Sequence, residues 1–204
     1  MSDIAHRLTE MHRRGHARPI HGLRRETMPP GRDQRPAAVL IAVTERKASD
    51  GHGPGVILIE RPAKMRKHAG QVAFPGGAID PGEGPVEAAL REAHEEIALP
   101  LSKVNVIGTT DVFDTATGFK ITPVLATIPP DLPLNPNPAE VDEWFEAPLS
   151  FVLDHANHDE RHVEWEGSRR RYIEMFWEGH RIWGVTAAII ENLAIRLAWR
   201  EGAR

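Results

Sequence analysis

Residues 76–99 of this 204-residue chain read GGAIDPGEGPVEAALREAHEEIAL, and the second half of this stretch carries strong helix signals. Gly84 is typical of a residue that caps a helix, and Pro85 is typical of the first helical position. Pro100 prevents the helix from continuing. The sequence therefore predicts a helix from Pro85 to Leu99.

Three glutamates of this predicted helix, Glu92, Glu95 and Glu96, are spaced so that their side chains lie close together. Residues three or four positions apart project from one face of a helix, with Cβ atoms about 5–6 Å apart. Their carboxylates repel one another unless a cation neutralises them, and hard divalent ions prefer oxygen ligands. The pattern thus favours a metal site, and a solvated acidic helix face is the alternative interpretation of these three residues taken alone.

The residues around these glutamates strengthen the metal-site interpretation. Glu83 lies just before the helix and can fold back over its start. Arg91 is expected to hold a carboxylate in place through a bidentate contact. Gly76 and Gly77 let the backbone approach other groups closely and reverse direction. Together these parts predict a metal-loaded platform for a chain of phosphates.

This spacing resembles the Nudix box, which runs Gly, five residues, Glu, seven residues, Arg-Glu, apolar, any residue, Glu-Glu, any residue, Gly, apolar. The pattern is filled here by Gly77, Glu83, Arg91, Glu92, Ala93, His94, Glu95, Glu96, Ile97, Ala98 and Leu99. Every charged position matches, and Ala98 replaces the second glycine. That glycine ends a helix in the left-handed conformation, so alanine there costs roughly 1 kcal/mol or imposes another helix end.

The Nudix resemblance implies an α+β protein with the Nudix fold, an α/β/α sandwich with a mixed central sheet. The order of predicted strands and helices suggests the same class. The resemblance also implies hydrolysis of a diphosphate assisted by Mg²⁺ or Mn²⁺, in which water made more acidic by the metal attacks a phosphorus atom. The implied metal ligands are Glu92, Glu96, Glu95 and Gly76. The implied catalytic residues are Glu95, Glu92, Arg91 and Glu140, with Glu95 either a ligand or the general base and Glu140 a second candidate base.

A second motif precedes the box. Leu58-Ile59-Glu60-Arg61 leads into Lys64-Met65-Arg66-Lys67-His68-Ala69-Gly70-Gln71-Val72-Ala73-Phe74-Pro75-Gly76-Gly77. It resembles the coenzyme A pyrophosphatase branch of Nudix proteins, apart from Pro62, where serine is common. The segment 183–187 resembles the C-terminal segment of that branch, and 139–143 resembles a general Nudix segment.

The branch resemblance implies coenzyme A or an acyl-CoA as substrate, with 3′,5′-ADP and (acyl-)4′-phosphopantetheine as products. A basic cluster beside the glycine turn could bind the diphosphate or the 3′-phosphate, and a solvated basic loop is the alternative interpretation. The expected substrate-binding residues are Arg61, Lys64, Arg66, Lys67, His68, Gly76 and Gly77. Two alternatives stay open: a Nudix hydrolase for another nucleoside diphosphate derivative, such as ADP-ribose or a dinucleotide, and a non-catalytic nucleotide-binding module.

Composition excludes several other classes of protein. The chain has no cysteine, so disulfides and thiolate sites are excluded, and a reducing compartment is suited to it. The net charge of −4 gives no case for a nucleic-acid partner. No apolar run approaches the roughly 20 residues that span a bilayer, and the start lacks the features of a signal peptide. We expect a cytoplasmic enzyme with a small-molecule substrate and no membrane partner, and the sequence leaves a homodimer open.

Two regions are expected: an N-terminal extension over 1–35 and a Nudix hydrolase domain over 36–200. In the extension, Ile4, Leu8 and Met11 predict a short helix, followed by an extended arm. Arg24 and Arg25 of the arm could contact a phosphate, although a solvated arm is the preferred interpretation. Strands are predicted over 37–43, 56–60, 104–113 and 119–128, a hairpin over 163–165 and 172–177 with its turn at 166–171, and a closing helix over 186–200.

Two polar clusters near the C-terminus have weaker functional interpretations. His155, His158 and His162 have helical offsets that could bind zinc, but a polar loop or exposed helix is preferred. The run 169–171 contains three arginines and falls where the hairpin turn is predicted, so a solvated turn is preferred over a nucleic-acid contact.

Overall fold

The computed structural model describes residues 2–27, 33–64, 70–165 and 168–199. The helices in these ranges are α1 (Asp3–His16), α2 (Pro85–Ile97), α3 (Leu149–Leu153) and α4 (Gly184–Leu197). The strands are β1 (Arg35–Thr44), β2 (Gly55–Glu60), β3 (Val72–Ala73), β4 (Gly76–Ala78), β5 (Asn105–Thr109), β6 (Phe113–Asp114), β7 (Phe119–Ile128), β8 (Glu143–Pro148), β9 (Asp159–Trp165), β10 (Ser168–Trp177) and β11 (His180–Trp183).

The central sheet has the strand order β3-β2-β1-β7-β5, with β4 paired to β1, β6 to β7 and β8 to β2. Strands β1 and β7 are parallel in continuous register from Arg35 opposite Phe119 to Thr44 opposite Ile128. The other pairings in this sheet are antiparallel, so the sheet is mixed, as predicted. A separate antiparallel sheet has the order β11-β10-β9.

Helices cover both faces of the central sheet. Along β1, Leu40 and Ala42 belong to the core cluster that contains the buried residues of α2. Ile41 and Val43 belong to the cluster that contains buried residues of α1, α3 and α4. This alternation follows from the two-residue period of a strand, and burial on both faces explains why β1 is almost entirely apolar. The predicted α/β/α sandwich is confirmed.

The predicted N-terminal helix is present, and it shares the core of α4. Ile4 and Leu8 of α1 are buried in the same cluster as α4. The Arg196 guanidinium of α4 donates to the Gly15 carbonyl at 2.8 Å and forms an ion pair with Asp111. Arg24 is not part of a solvated arm, because it pairs with Glu191 of α4 and is largely buried. The extension is thus tied to α4 at several points between Ile4 and Arg24.

Strand β8 was missing from the sequence prediction. Glu143–Pro148 pairs antiparallel with the whole of β2, from Gly55 opposite Pro148 to Glu60 opposite Glu143. It is only six residues long, and its ends are a glutamate and a proline, which weaken the strand signal. The proline-rich stretch 129–138 lies outside the regular elements.

The predicted hairpin turn was too long. Strand β9 starts at Asp159, and β10 starts at Ser168, so the run 169–171 lies on a strand rather than in the turn. Cross-strand ion pairs explain how such polar sequences form strands, since Arg161 donates to Glu174 at 2.7 Å and Arg171 lies 2.9 Å from Glu160. The tip residues 166–167 lie outside the described residues.

Ala98 adopts the left-handed conformation that the glycine of the motif would favour. Its φ is 52° and its ψ is 34°. The Ala98 N–H donates to the His94 carbonyl at 2.9 Å, and the Leu99 N–H donates to the Ala93 carbonyl at 3.4 Å. The helix therefore ends as a glycine would end it, and alanine carries the local strain.

Replacing Ala98 by glycine is expected to stabilise the protein by about 0.5–1 kcal/mol. Relief of left-handed strain outweighs the entropy that glycine adds to the unfolded chain. Chemical denaturation measures the change, and Ala17→Gly is the control because Ala17 ends α1 with a right-handed φ of −70°. That control should be destabilising. Equal effects of the two substitutions would contradict the strain at Ala98.

No helix in the described ranges combines the length and apolarity needed to cross a membrane.

Candidate active site

Small side chains bring α2 close to the sheet and aim two of its glutamates at β4. Ala88, Ala89 and Ala93 are buried on the sheet side of the helix. The helix packs against β1 and β4, and it begins after Gly84 with Pro85 at the first position, as predicted. Glu92 and Glu96 lie on the helix face next to these three alanines.

Glu96 is a fully buried carboxylate that the protein satisfies only in part. The Gly76 N–H donates to its Oε2 at 2.9 Å. Its Oε1 has no hydrogen-bond partner among the described residues, and the nearest guanidinium nitrogen, on Arg61, lies 3.5 Å away. Burial raises the pKa of Glu96 to about 7. A buried carboxylate oxygen without a hydrogen bond is costly, so this atom is suited to a bound cation.

A loop contact brings a third carboxylate to Glu96. The Asn137 N–H donates to the Glu96 carbonyl at 2.8 Å, and the Asn137 side chain donates to Glu140 at 3.5 Å. As a result, carboxylate oxygens of Glu92, Glu96 and Glu140 all lie within 4.8 Å of one another. Glu140 was predicted as a candidate base. The role of Asn137 was missed, because only its position three residues before Glu140 hinted at it.

Arg91 organises the outer side of the site. Its Nε and Nη2 donate to the two carboxylate oxygens of Glu83 at 2.9 and 3.1 Å, the bidentate contact that the sequence predicted. Its Nη1 donates to Glu92 at 2.9 Å, and its Nη2 also donates to the Ala78 carbonyl at 3.0 Å. The guanidinium holds the pKa of Glu83 below its usual value. Arg91 thereby fixes Glu92 relative to the glycine turn.

Glu95 lies beside this group. Its side chain is 51% exposed, and its carboxylate accepts a hydrogen bond from Arg91 at 3.2 Å. The structure therefore brings together Glu92, Glu96 and Glu140 and leaves Glu95 at the rim, where its carboxylate is open to a substrate or to water.

The two glycines of the turn are required by close contacts. A Cβ at Gly77 would lie 2.4 Å from the Glu92 carboxylate, and a Cβ at Gly76 would lie 2.4 Å from the Ala38 carbonyl oxygen. The Gly76 carbonyl is 3.5 Å from Arg61 Nη2. The turn thus forms a floor under the carboxylates. At Gly76 the backbone leaves room only for hydrogen, whereas a methyl group at Gly77 would have to displace the Glu92 carboxylate.

Replacing Gly77 by alanine is expected to lower kcat/KM on the order of 10²-fold, because the new methyl group displaces the Glu92 carboxylate. Gly84→Ala is the matched control. Its Cβ would meet Glu87 at an ordinary 3.4 Å, and its φ of −89° suits alanine. Steady-state kinetics at saturating metal measure both variants. A normal rate for Gly77→Ala would contradict the contact with Glu92.

The chemistry of this group fits a divalent cation. Three carboxylates lie within 4.8 Å, and one buried oxygen of Glu96 lacks a hydrogen bond within the described chain. Arg61 approaches that oxygen only at 3.5 Å, too far for a good hydrogen bond. Oxygen donors of this kind suit Mg²⁺ or Mn²⁺ better than softer metals.

Of the basic residues predicted to bind substrate, the structure describes two. Arg61 lies between the Gly76 carbonyl and Glu96, and Lys64 is exposed. Arg66, Lys67 and His68 lie outside the described residues.

Comparisons with known proteins agree with this geometry. A family model described as the NUDIX domain matches residues 34–166. The chain is 43% identical over 166 residues to the uncharacterized Nudix hydrolase NudL of Cronobacter sakazakii, covering 81% of this chain and 84% of that protein. It is 42% identical over 176 residues to NudL of Shigella boydii serotype 4, covering 86% and 87%. A Nudix hydrolase from M. smegmatis, RenU, matches with a TM-score of 0.50 and 29% identity, covering 60% of this chain and 75% of that one.

The fold and the carboxylate group define a pyrophosphohydrolase, an enzyme that acts on small molecules containing a phosphoanhydride bond. The chain belongs to the Nudix hydrolase family. Members of this family generally depend on a divalent metal.

Proposed function

We propose that this protein hydrolyses the diphosphate linkage of coenzyme A or an acyl-CoA, with Mg²⁺ or Mn²⁺, to give 3′,5′-ADP and (acyl-)4′-phosphopantetheine. The observation that supports this substrate assignment is the segment 70–77, whose sequence resembles the coenzyme A pyrophosphatase branch. This segment includes β3 and β4, and its last two residues contact Glu96 and approach Glu92. The branch-like sequence is therefore part of the floor of the carboxylate site.

A contact between two distant segments supports the same assignment. The C-terminal segment 183–187 also resembles the branch, and Thr186 Oγ1 donates to the Val72 carbonyl at 2.9 Å in a buried hydrogen bond. Strand β11, which ends at Trp183, packs against β3. The two stretches with branch-like sequence are thus in direct contact.

We assign Glu92, Glu96 and Glu140 as the carboxylates that would hold the cation. A divalent cation there would neutralise phosphoryl charge and lower the pKa of a bound water. Glu95 is our candidate for the residue that accepts a proton from the attacking water, since its carboxylate is exposed at the rim. Arg91 positions Glu92 and Glu83 rather than contacting substrate.

Exposed cations near the glycine turn would bind the anionic substrate. Coenzyme A carries a diphosphate and a 3′-phosphate, and Lys64 lies exposed four residues after Glu60 at the end of β2. Lys and Arg side chains form charge-assisted hydrogen bonds with phosphate oxygens.

We assign the catalytic domain to residues 36–200, with 1–35 as an extension that braces α4, and we place the enzyme in the cytoplasm.

A substrate panel tests the proposal. Purified protein with Mg²⁺ or Mn²⁺ is offered coenzyme A, acetyl-CoA, dephospho-CoA, ADP-ribose and a diadenosine polyphosphate, and the products are identified by mass spectrometry. We expect coenzyme A or acetyl-CoA to give the highest kcat/KM, and dephospho-CoA to report on the 3′-phosphate contact. Preferred cleavage of ADP-ribose or the dinucleotide would keep the hydrolase and overturn the coenzyme A assignment.

A further inference from the structure

A second group of potential ligands lies on the opposite side of the central sheet from α2. His155 and His158 occupy the short turn that follows α3, and Glu191 lies on α4. Ligand atoms of these three residues lie within 4.8 Å of one another. The two imidazole rings have centroids 5.1 Å apart. The buried residues of α3 and α4 pack in a different core cluster from those of α2, so this group is separate from the carboxylate site.

One ring nitrogen of His158 is available to bind a metal ion. Its Nε2 lies 2.7 Å from the Val152 carbonyl, which can only accept, so Nε2 carries the proton. The other nitrogen, Nδ1, is then a lone-pair donor, and it is buried without a hydrogen-bond partner among the described residues. Histidines that bind metals commonly have this arrangement, with the second ring N–H held by a backbone carbonyl. Burial also lowers the pKa of His158, which favours the neutral form of its ring.

Glu191 supplies an anionic oxygen donor, and His155 supplies a nitrogen donor that is accessible from solvent. The Glu191 side chain is only 16% exposed, and its carboxylate pairs with Arg24. This pairing orients the carboxylate, and an entering cation would share it with the guanidinium. His155 is exposed, so a metal ion can reach the group from solvent.

We propose that His155, His158 and Glu191 form a second metal site, for a zinc-like transition-metal dication. Two imidazoles and one carboxylate suit Zn²⁺, whereas Mg²⁺ prefers oxygen donors alone. Three protein donors leave a fourth position for water. His162, which the sequence pattern grouped with these histidines, is not a member and lies on β9. Bound metal would link the α3–β9 connection to α4.

Calorimetric titration of the metal-free full chain with Zn²⁺ tests this site. The Glu96→Gln background removes competition from the carboxylate site. We expect Zn²⁺ to bind, and His155→Ala should weaken this binding on the order of 10²-fold. His162→Ala is the matched control and should leave the affinity unchanged. His155 is exposed, so its substitution does not disturb the core, whereas His158 packs against α3.

Two further measurements separate this site from the proposed hydrolase activity. Co²⁺ bound in place of Zn²⁺ should give the strong visible absorption of a four-coordinate ion with nitrogen ligands, and His155→Ala should abolish that absorption. Turnover with Mg²⁺ should be the same in His155→Ala and wild type. Equal Zn²⁺ affinity in wild type and His155→Ala, or only the weak absorption of six-coordinate Co²⁺, would overturn the site.

Discussion

Replacing Glu96 by glutamine is expected to lower kcat on the order of 10³-fold, which corresponds to about 4 kcal/mol of lost transition-state stabilisation. The Glu96 side chain is fully buried, and its Oε1 has no hydrogen bond within the described residues. Glutamine has nearly the same shape but removes the negative charge that a cation needs. The loss should appear with every substrate that the enzyme cleaves.

Unfolding experiments distinguish this loss from a failure to fold. In EDTA, wild type and Glu96→Gln should both unfold cooperatively. Added Mn²⁺ should raise the unfolding midpoint of the wild-type protein, because a ligand that binds only the folded state stabilises that state. Mn²⁺ should leave the unfolding midpoint of the variant unchanged. Glu87→Gln is the control on the same helix. The Gly84 N–H donates a hydrogen bond to Glu87 at 2.7 Å, and a glutamine side chain can still accept it. A metal response in Glu96→Gln equal to that of wild type would refute the ligand role.

Replacing Arg91 by lysine is expected to lower kcat/KM by about 10–100-fold and to raise the metal concentration needed for half-maximal activity. Residues that orient metal ligands have effects of this size. Arg91 donates to Glu83, Glu92 and the Ala78 carbonyl at once. Lysine keeps the charge but cannot match this planar set of donors.

The metal dependence separates positioning from general damage. Arg46→Lys is the control, because Arg46 also joins two carboxylates, Glu146 and Asp131, away from the α2 carboxylates. It should alter stability slightly and leave the metal requirement unchanged. An Arg91→Lys enzyme with a normal metal requirement would show that Arg91 does not position Glu92.

The parts of the site that depend on local spacing could be predicted from the sequence. Helix geometry alone places Glu92 and Glu96 on one face, and Glu83 lies close enough in sequence for Arg91 to reach it. For Ala98 the sequence left two helix ends open, and the structure shows the left-handed one. The prediction for Glu92 and Glu96 succeeds because a helix places residues three or four positions apart on one face.

Long-range contacts could not be predicted in the same way. Glu140 was a candidate, but its approach to Glu96 depends on the Asn137 contact with the end of α2. Strand β8 is recognisable only once β2 offers it a partner over six residues. The strand at 168–171 depends on cross-strand charge pairs such as Arg171 with Glu160. In each case a partner distant in sequence decides the conformation.

The carboxylate site and the coenzyme A assignment are tested together by one measurement, the amount of 3′,5′-ADP released from coenzyme A as Mg²⁺ or Mn²⁺ is added to the metal-free enzyme. We predict no product in EDTA, a saturating rise with either metal, and a parallel release of 4′-phosphopantetheine. Absence of 3′,5′-ADP at every metal concentration would contradict it.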